Sequence, residues 1–249
     1  QARRYIRSYG DATNTTMGVE AQSRATRGRA GARIKEDDAV EHFFACNDHD
    51  SILFFSDRGV VFCVKAFQIP LGSRTSRGIP VVQLLPISRE EKVTSVMPVS
   101  EFSEDEYLVM MTNLGFIKKT SLAAFSHIRS NGLIAISLEE GDQLRWVRRA
   151  RVEDSIIIGS RKGMAIHFRA DHSQLRPLGR ATRGVRAMRL REGDELIGMD
   201  ILPGQITASL VLEGDDEIDL DLEAEAAVVE EIIEEQTFNG PWVLVITNH

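Results

Sequence analysis

An internal repeat limits this chain to few folds. Each copy consists of an apolar run, a polar turn that ends in glycine and a second apolar run, and the clearest copies occupy residues 51–64, 107–120 and 155–168. Basic loops follow the same period, and their closing glycines, spaced at intervals of 50, 54 and 52 residues, are Gly28, Gly78, Gly132 and Gly184. A regular period of this length indicates a solenoid or a propeller.

About four short strands fit within each repeat. The segments are rich in Val, Ile, Leu and Phe and are bounded by Gly, Asp, Asn and Ser, which is typical of strands and hairpins. Four strands in one repeat predict one blade of a β-propeller, because the faces of such a small sheet are buried only when neighbouring blades stack around an axis. We therefore predict an all-β fold of four-stranded blades over residues 19–204.

Three segments fall outside this pattern. Residues 1–18 lack a clear hairpin, and we interpret them as a divergent hairpin, a leader or a linker. Residues 205–239 form an acidic insertion that is either a solvated, mostly disordered loop or contains a short helix near 222–235. Residues 240–249 begin a further blade that the sequence does not finish, so we expect a fragment of a longer chain and an incomplete ring.

The net charge of -7 combines two regions of opposite sign. Residues 213–235 hold 12 acidic residues and no Lys or Arg, whereas all 30 basic residues precede them. Residues 1–212 therefore carry 25 acidic and 30 basic residues, a net charge of +5 that favours a polyanionic partner. No stretch approaches the roughly 20 consecutive apolar residues of a membrane span, so we expect no association with a membrane.

The sequence around the loops resembles the C-terminal domain of the DNA gyrase A protein, the β-pinwheel of a type IIA topoisomerase. The resemblance rests on the blade repeat, on EAQSRATRGRAGARIKEDD (20–38), on DHDSILFFSDRGVVF (48–62) and on the Gly-Asp turns. It covers about residues 19–203, resumes at Gly240 and is closest to cyanobacterial or plastid-type sequences. It implies a β-pinwheel that binds, bends and wraps duplex DNA beside the cleavage gate of the whole enzyme.

That family carries a seven-residue box in its first blade, Gln-Arg-Arg-Gly-Gly-Lys-Gly, which is needed for wrapping. Gln22, Arg24 and Gly28 match the box, and Arg27 keeps the charge of its lysine. The aligned residues that depart from the box are Ser23, Ala25 and Thr26. Ala25 and Thr26 replace the paired glycines and remove their backbone freedom.

Basic side chains on loops at one end of successive blades are spaced to meet successive phosphates of a bent duplex. Together with the box residues, the predicted DNA-binding set is Gln22, Arg24, Arg27, Gly28, Arg29 and Arg33 in the first loop, Arg74 and Arg77 in the second, Lys118, Lys119 and Arg129 in the third, and Arg176, Arg180 and Arg183 in the fourth. Two alternatives are simple solvated turns and a protein-interaction propeller whose basic rim binds an acidic partner.

We expect neither catalysis nor a metal site in this chain. Cys46 and His49 have Cys-x-x-His spacing, but the sequence has no second pair to complete a zinc site. Asp37 and Asp38 belong to acidic turns that recur in each repeat, which favours turn chemistry over acid-base catalysis. Neither a Walker loop nor a glycine-rich dinucleotide loop occurs.

The resemblance also implies the setting of the domain. ATP and magnesium would act on other domains of the enzyme, with no cofactor in this part. The partners would be duplex DNA, the remainder of the gyrase A protein, and the gyrase B protein. The expected location is the bacterial cytoplasm, at the nucleoid, with a plastid as the alternative.

Overall fold

The computed structural model describes residues 5–6, 42, 44–71, 78–88 and 90–204. The acidic insertion at 205–239, the further blade at 240–249 and all of residues 1–18 except 5–6 lie outside this part. In the described part, no helix is long and apolar enough to cross a membrane.

The described chain is built almost entirely of strands. The strands are β1 (Tyr5–Ile6), β2 (Ser51–Ser56), β3 (Val60–Lys65), β4 (Ile79–Pro80), β5 (Val93–Val99), β6 (Tyr107–Thr112), β7 (Phe116–Ser121), β8 (Leu133–Ile134), β9 (Leu144–Ala150), β10 (Ser155–Ser160), β11 (Ala165–Arg169), β12 (Val185–Arg186) and β13 (Leu196–Leu202). One α-helical turn (Val81–Leu84) and two 3-10 turns (Ala66–Gln68 and Leu122–Phe125) connect them. The all-β prediction is confirmed.

The strands form antiparallel sheets that correspond to blades. Numbering from the first four-stranded sheet that the structure describes, and not from the blade that carries the box, we call the sheet of order β5-β2-β3-β8 the first blade and the sheet of order β12-β7-β6-β9 the second blade. The third blade has the order β11-β10-β13 among the described residues. The predicted hairpins are the pairs β2–β3, β6–β7 and β10–β11, and their turns contain Gly59, Gly115 and Gly163.

The strand that follows each basic loop does not stay in its own repeat. β8 pairs with β3 of the preceding hairpin, and β12 pairs with β7. β4 pairs in the same way with β1, so Tyr5–Ile6 takes the position of a hairpin strand. The interpretation of residues 1–18 as a divergent hairpin, a leader or a linker stays a prediction. We call β4, β8 and β12 the donated strands, because each repeat gives one to the blade before it.

The hydrophobic core lies between blades. Leu53 and Phe55 of β2 pack in one cluster with Leu108 and Met110 of β6. The opposite face of β6 packs with β10 in a second cluster. The hairpin strands β2 and β6 are therefore buried on both faces, which explains why they are continuous apolar runs without alternation. Each such fully buried side chain contributes about 1.5–3 kcal/mol of hydrophobic stabilisation.

Each blade has an inner and an outer edge. β9 lies beside both β5 and β13, so these three strands converge on the inner side of the stack. β8 and β12 lie at the opposite ends of their sheets. The donated strands β8 and β12, and the third and fourth basic loops that lead into them, therefore occupy the outer edge.

Candidate nucleic-acid interface

The fourth basic loop, residues 170–184, crosses the outer edge of the second blade. It leaves β11 of the third blade, and the Leu178 N–H then donates to the Lys119 carbonyl at 2.8 Å. Pro177 forms a parallel bridge with Lys119 at the same point. The chain next enters β12, in which Val185 pairs with Ile117. The loop thus passes from one blade to the next along strand β7.

A close approach explains the glycine that ends this loop. Gly184 has a φ of 96°, which an L side chain rarely adopts, and a Cβ there would overlap the Ile117 carbonyl oxygen. Gly132 ends the third loop with a φ of 84°, and a Cβ there would lie 2.7 Å from the Phe62 ring. Gly132 and Gly184 therefore allow β8 and β12 to reach the preceding blade.

Two of the predicted DNA-binding residues are free to contact a ligand. Arg129 on the third loop and Arg176 on the fourth are exposed. Neither forms an ion pair with another residue of the described part. Both guanidinium groups are therefore open to phosphate oxygens, which they can bind through two parallel N–H donors.

Arg180 and Arg183 already have partners within the protein. Arg180 is half-buried, and its Nη1 donates to the Ala124 carbonyl at 2.7 Å. Arg183 is exposed, forms an ion pair with Glu139 and lies 4.4 Å from the centre of the Phe116 ring. Both side chains are at the predicted outer edge, but a phosphate contact by either would compete with these interactions or share the guanidinium with them.

Lys118 and Lys119 are not at the surface, and their prediction as phosphate contacts is wrong. Both residues are fully buried on β7. The Lys118 Nζ donates to the carbonyl oxygens of Ala135 at 2.6 Å and Gly179 at 3.0 Å, and the Lys119 Nζ donates to that of Ala170. Both ammonium groups bind backbone carbonyls inside the fold, and these carbonyls replace the water that each ammonium lost on burial.

Burial changes the acid-base properties of both lysines. It lowers the pKa of Lys118 to about 8. Burial also lowers the pKa of Lys119 to about 8, against the opposing effect of the nearby Asp171 carboxylate. Both groups are therefore mainly protonated at neutral pH.

Arg186 was missed as a candidate although it lies on the same outer edge. It is exposed on the donated strand β12, and its guanidinium lies 4.7 Å from the centre of the Phe116 ring. Arg183 and Arg186 thus stack on one ring and are held near each other. The signal was its position two residues after the loop glycine, since the residues after that glycine belong to a strand at the sheet edge.

The remaining predicted residues lie outside the part that the structure describes. They are Gln22, Arg24, Arg27, Gly28, Arg29 and Arg33 of the first loop and Arg74 and Arg77 of the second. Their assignment to DNA binding stays a prediction.

The acidic turns have the structural role expected of them where they are described. The Asp142 Oδ1 accepts from the Leu114 N–H at 3.2 Å, and the Asp194 Oδ1 accepts from the Lys162 N–H at 2.9 Å. Each aspartate thus ties the acidic turn to the hairpin turn of its own repeat. Turn chemistry, as predicted, accounts for the Oδ1 atom of both carboxylates.

Comparison with known families identifies the repeat. A family model described as "DNA gyrase C-terminal domain, beta-propeller" matches residues 18–47, 50–100, 106–151 and 154–203. The chain belongs to this family. The three longer matches each run from a hairpin through its basic loop to an inner strand, so the family repeat includes the strand that is donated to the preceding blade.

Individual relatives carry the same family name. The DNA gyrase A protein of Synechocystis sp. is 62% identical over 226 residues, which is 91% of this chain and 26% of the relative. A probable chloroplastic/mitochondrial gyrase A protein of Oryza sativa is 47% identical over 182 residues, 73% of this chain and 19% of the relative. The gyrase C-terminal domain in this chain thus spans about a fifth to a quarter of the length of these relatives.

A solved structure supports the fold. The C-terminal domain of DNA topoisomerase IV superposes with a TM-score of 0.58 and 25% identity, over 64% of this chain and 49% of that one. The β-pinwheel fold expected from the resemblance is confirmed.

Proposed function

We propose that this domain binds duplex DNA along its outer edge and bends or wraps it for a DNA gyrase A protein. The observation that carries the proposal is the placement of the exposed arginines. Arg129 and Arg176 lie on loops that lead to donated strands, and Arg186 lies on a donated strand itself. Membership of the gyrase family supports the same function.

The chemistry of this edge suits a DNA backbone. Guanidinium groups bind phosphate oxygens without regard to base sequence, so such contacts position a duplex and do not read it. Because the inner strands converge, the outer edge is convex, and a duplex that follows it must bend. Arg183 and Arg186 stack on Phe116, which reduces the side-chain entropy lost on binding.

We propose that catalysis lies elsewhere in the full enzyme. The domain would act with the remainder of the gyrase A protein and with the gyrase B protein, and ATP and magnesium would act on other domains. It would itself be non-catalytic and need no cofactor. Since the relatives include a bacterial protein and a chloroplastic/mitochondrial one, we place it in bacterial cytoplasm, with a plastid as the alternative.

The test compares two pairs of charge reversals in gel-shift titrations. One variant carries Arg129→Glu and Arg176→Glu at the outer edge. The control carries Arg145→Glu on the inner strand β9 and Arg161→Glu in a hairpin turn, which are also exposed arginines. Both variants have the same net charge, so a difference between them reports position and not total charge.

We expect the outer-edge variant to bind random duplexes more weakly. The slope of log K against log salt should fall by about 1 for each lost phosphate contact, whereas the control should keep its slope. Wild-type affinity should also rise with duplex length over tens of base pairs. Equal losses in both variants would contradict the proposed edge, and affinity for an acidic protein without affinity for DNA would favour a protein partner.

A further inference from the structure

We propose that Lys118 and Lys119 are positioning residues that hold the fourth basic loop in place for DNA. This inference rests on the proposed DNA binding of that loop. It assigns these two lysines a role that is distinct from a phosphate contact, since neither ammonium reaches the surface.

The two lysines bind the loop from opposite faces of strand β7. Successive side chains of a strand point to opposite faces, so Lys118 and Lys119 of β7 project in opposite directions. On one face, the Lys118 ammonium donates to three carbonyls near the end of the loop, those of Gly179 at 3.0 Å, Thr182 at 3.2 Å and Arg180. The Ala135 carbonyl of the preceding repeat lies 2.6 Å from the same Nζ. Because an ammonium has three N–H donors, two of these four carbonyls share one of them.

The other face holds the beginning of the loop. The Lys119 ammonium donates to the Ala170 carbonyl and lies 4.9 Å from the centre of the Tyr107 ring. The Lys119 main chain contributes a further bond, from the Leu178 N–H. Arg176 lies between these points of attachment, so the segment that carries it is fixed on both sides.

Packing of the sheet does not explain a lysine at this position. Counting three residues from the hairpin glycine gives Phe62 in the first blade, Lys118 in the second and Ile166 in the third. An apolar residue thus suits the equivalent place in two blades. Burying an ammonium is costly unless hydrogen bonds replace its water, and the loop carbonyls supply that replacement in the second blade.

A loop held in this way loses little freedom when it binds. Ordering a mobile loop on binding opposes association, so a loop that is already ordered binds more tightly with the same contacts. The third loop leads to the first blade, where Phe62 and Cys63 occupy the positions equivalent to the two lysines. Neither of these side chains has an ammonium to donate to loop carbonyls.

The experiment uses Lys118→Met and Lys119→Met, with Lys162→Met as the matched control. Lys162 is exposed, and its Nζ donates to the carbonyl of Glu192. All three variants lose one charge and keep a similar side-chain length. We expect K118M and K119M to bind duplex DNA about three- to tenfold more weakly than K162M.

A double-mutant comparison separates positioning from a general loss of stability. In the presence of K118M, Arg176→Glu should reduce DNA affinity less than it does in the wild type. The reason is that the loop is no longer held in place, so Arg176 already contributes less to binding. Additive effects of K118M and Arg176→Glu would overturn the inference. If wild type and the Arg176→Glu variant bind DNA equally, the proposed DNA-binding edge fails first, which is a different result.

Hydrogen exchange of the wild-type protein provides a second test if either methionine variant does not fold. Peptides from 170–184 should be protected in the free protein and gain little on DNA binding. Peptides from 126–132 should start with less protection and gain more. Equal exchange in the two loops of the free protein would contradict the proposal.

Discussion

Burying an ammonium group lowers the free energy of unfolding, and this protein buries two of them next to each other in one strand. Lys118 and Lys119 both have a pKa of about 8 in the folded chain because burial opposes their charge. In the unfolded chain, each returns to an ordinary value of about 10.4. At neutral pH, the buried charge of the pair therefore lowers the stability of the fold.

The sign of the pH dependence follows from these values. Between about pH 8 and 10.4 the unfolded chain holds protons on these lysines that the folded chain has released, so the free energy of unfolding rises with pH. The gain in the free energy of unfolding is fully present above about pH 10.4 and is lost as the pH falls through about 8. Denaturant titrations at pH 7, 8.5 and 10 should show a smaller rise in K118M than in wild type. An identical rise in both would show that Lys118 does not carry this linkage.

Arg183 and Arg186 share Phe116, and this leads to a second prediction. Replacing Phe116 by Leu keeps an apolar side chain in a buried place but removes the ring on which both guanidiniums stack. Stacking contributes about 0.5–1 kcal/mol per pair at exposed sites, so DNA affinity should fall several-fold. Fluorescence anisotropy with a labelled duplex measures this change. Phe125→Leu, a buried ring in the first core cluster, is the control and should keep its affinity.

At the scale of elements, the donated strand determines how each blade is completed. Gly184→Ala should detach β12 from β7, because the new Cβ meets both an unfavourable φ and the Ile117 carbonyl oxygen. Gly141→Ala is a matched control, since its φ is 81° but a Cβ there meets no atom within 4 Å. We expect about 1 kcal/mol of destabilisation for the control and clearly more for Gly184→Ala, measured by denaturant unfolding. Equal values would mean that the close approach is not important.

Some elements could be predicted from the sequence and others could not, for physical reasons. The hairpins were predictable because apolar runs on both sides of a turn glycine describe them completely. The partner of each donated strand was not, because the period is the same whether the strand pairs within its own repeat or with the preceding one. Lysines are rarely buried, and the carbonyls of the fourth loop that allow the burial of Lys118 and Lys119 lie 51 to 64 residues later in the chain.

At the scale of the whole molecule, the blades share strands as well as core. The second blade takes its outer strand, β12, from the third repeat, so unfolding of the second blade also removes the pairing partner of β12. Hydrogen exchange should therefore give β6, β7 and β12 the same opening free energy, although β12 lies in another repeat. A clearly lower value for β12 alone would show that the donated strand opens independently of the blade.

Strand donation also bears on how such a chain could grow by duplication of its gene. A copied repeat inserted at any joint would give its short strand to the repeat before it and receive one from the repeat after it, as β8 and β12 do. No new unpaired edge would arise in the middle of the chain. Only the two terminal repeats would differ. The first would have no preceding blade to which it could donate its short strand, and the last would receive no strand from a following repeat.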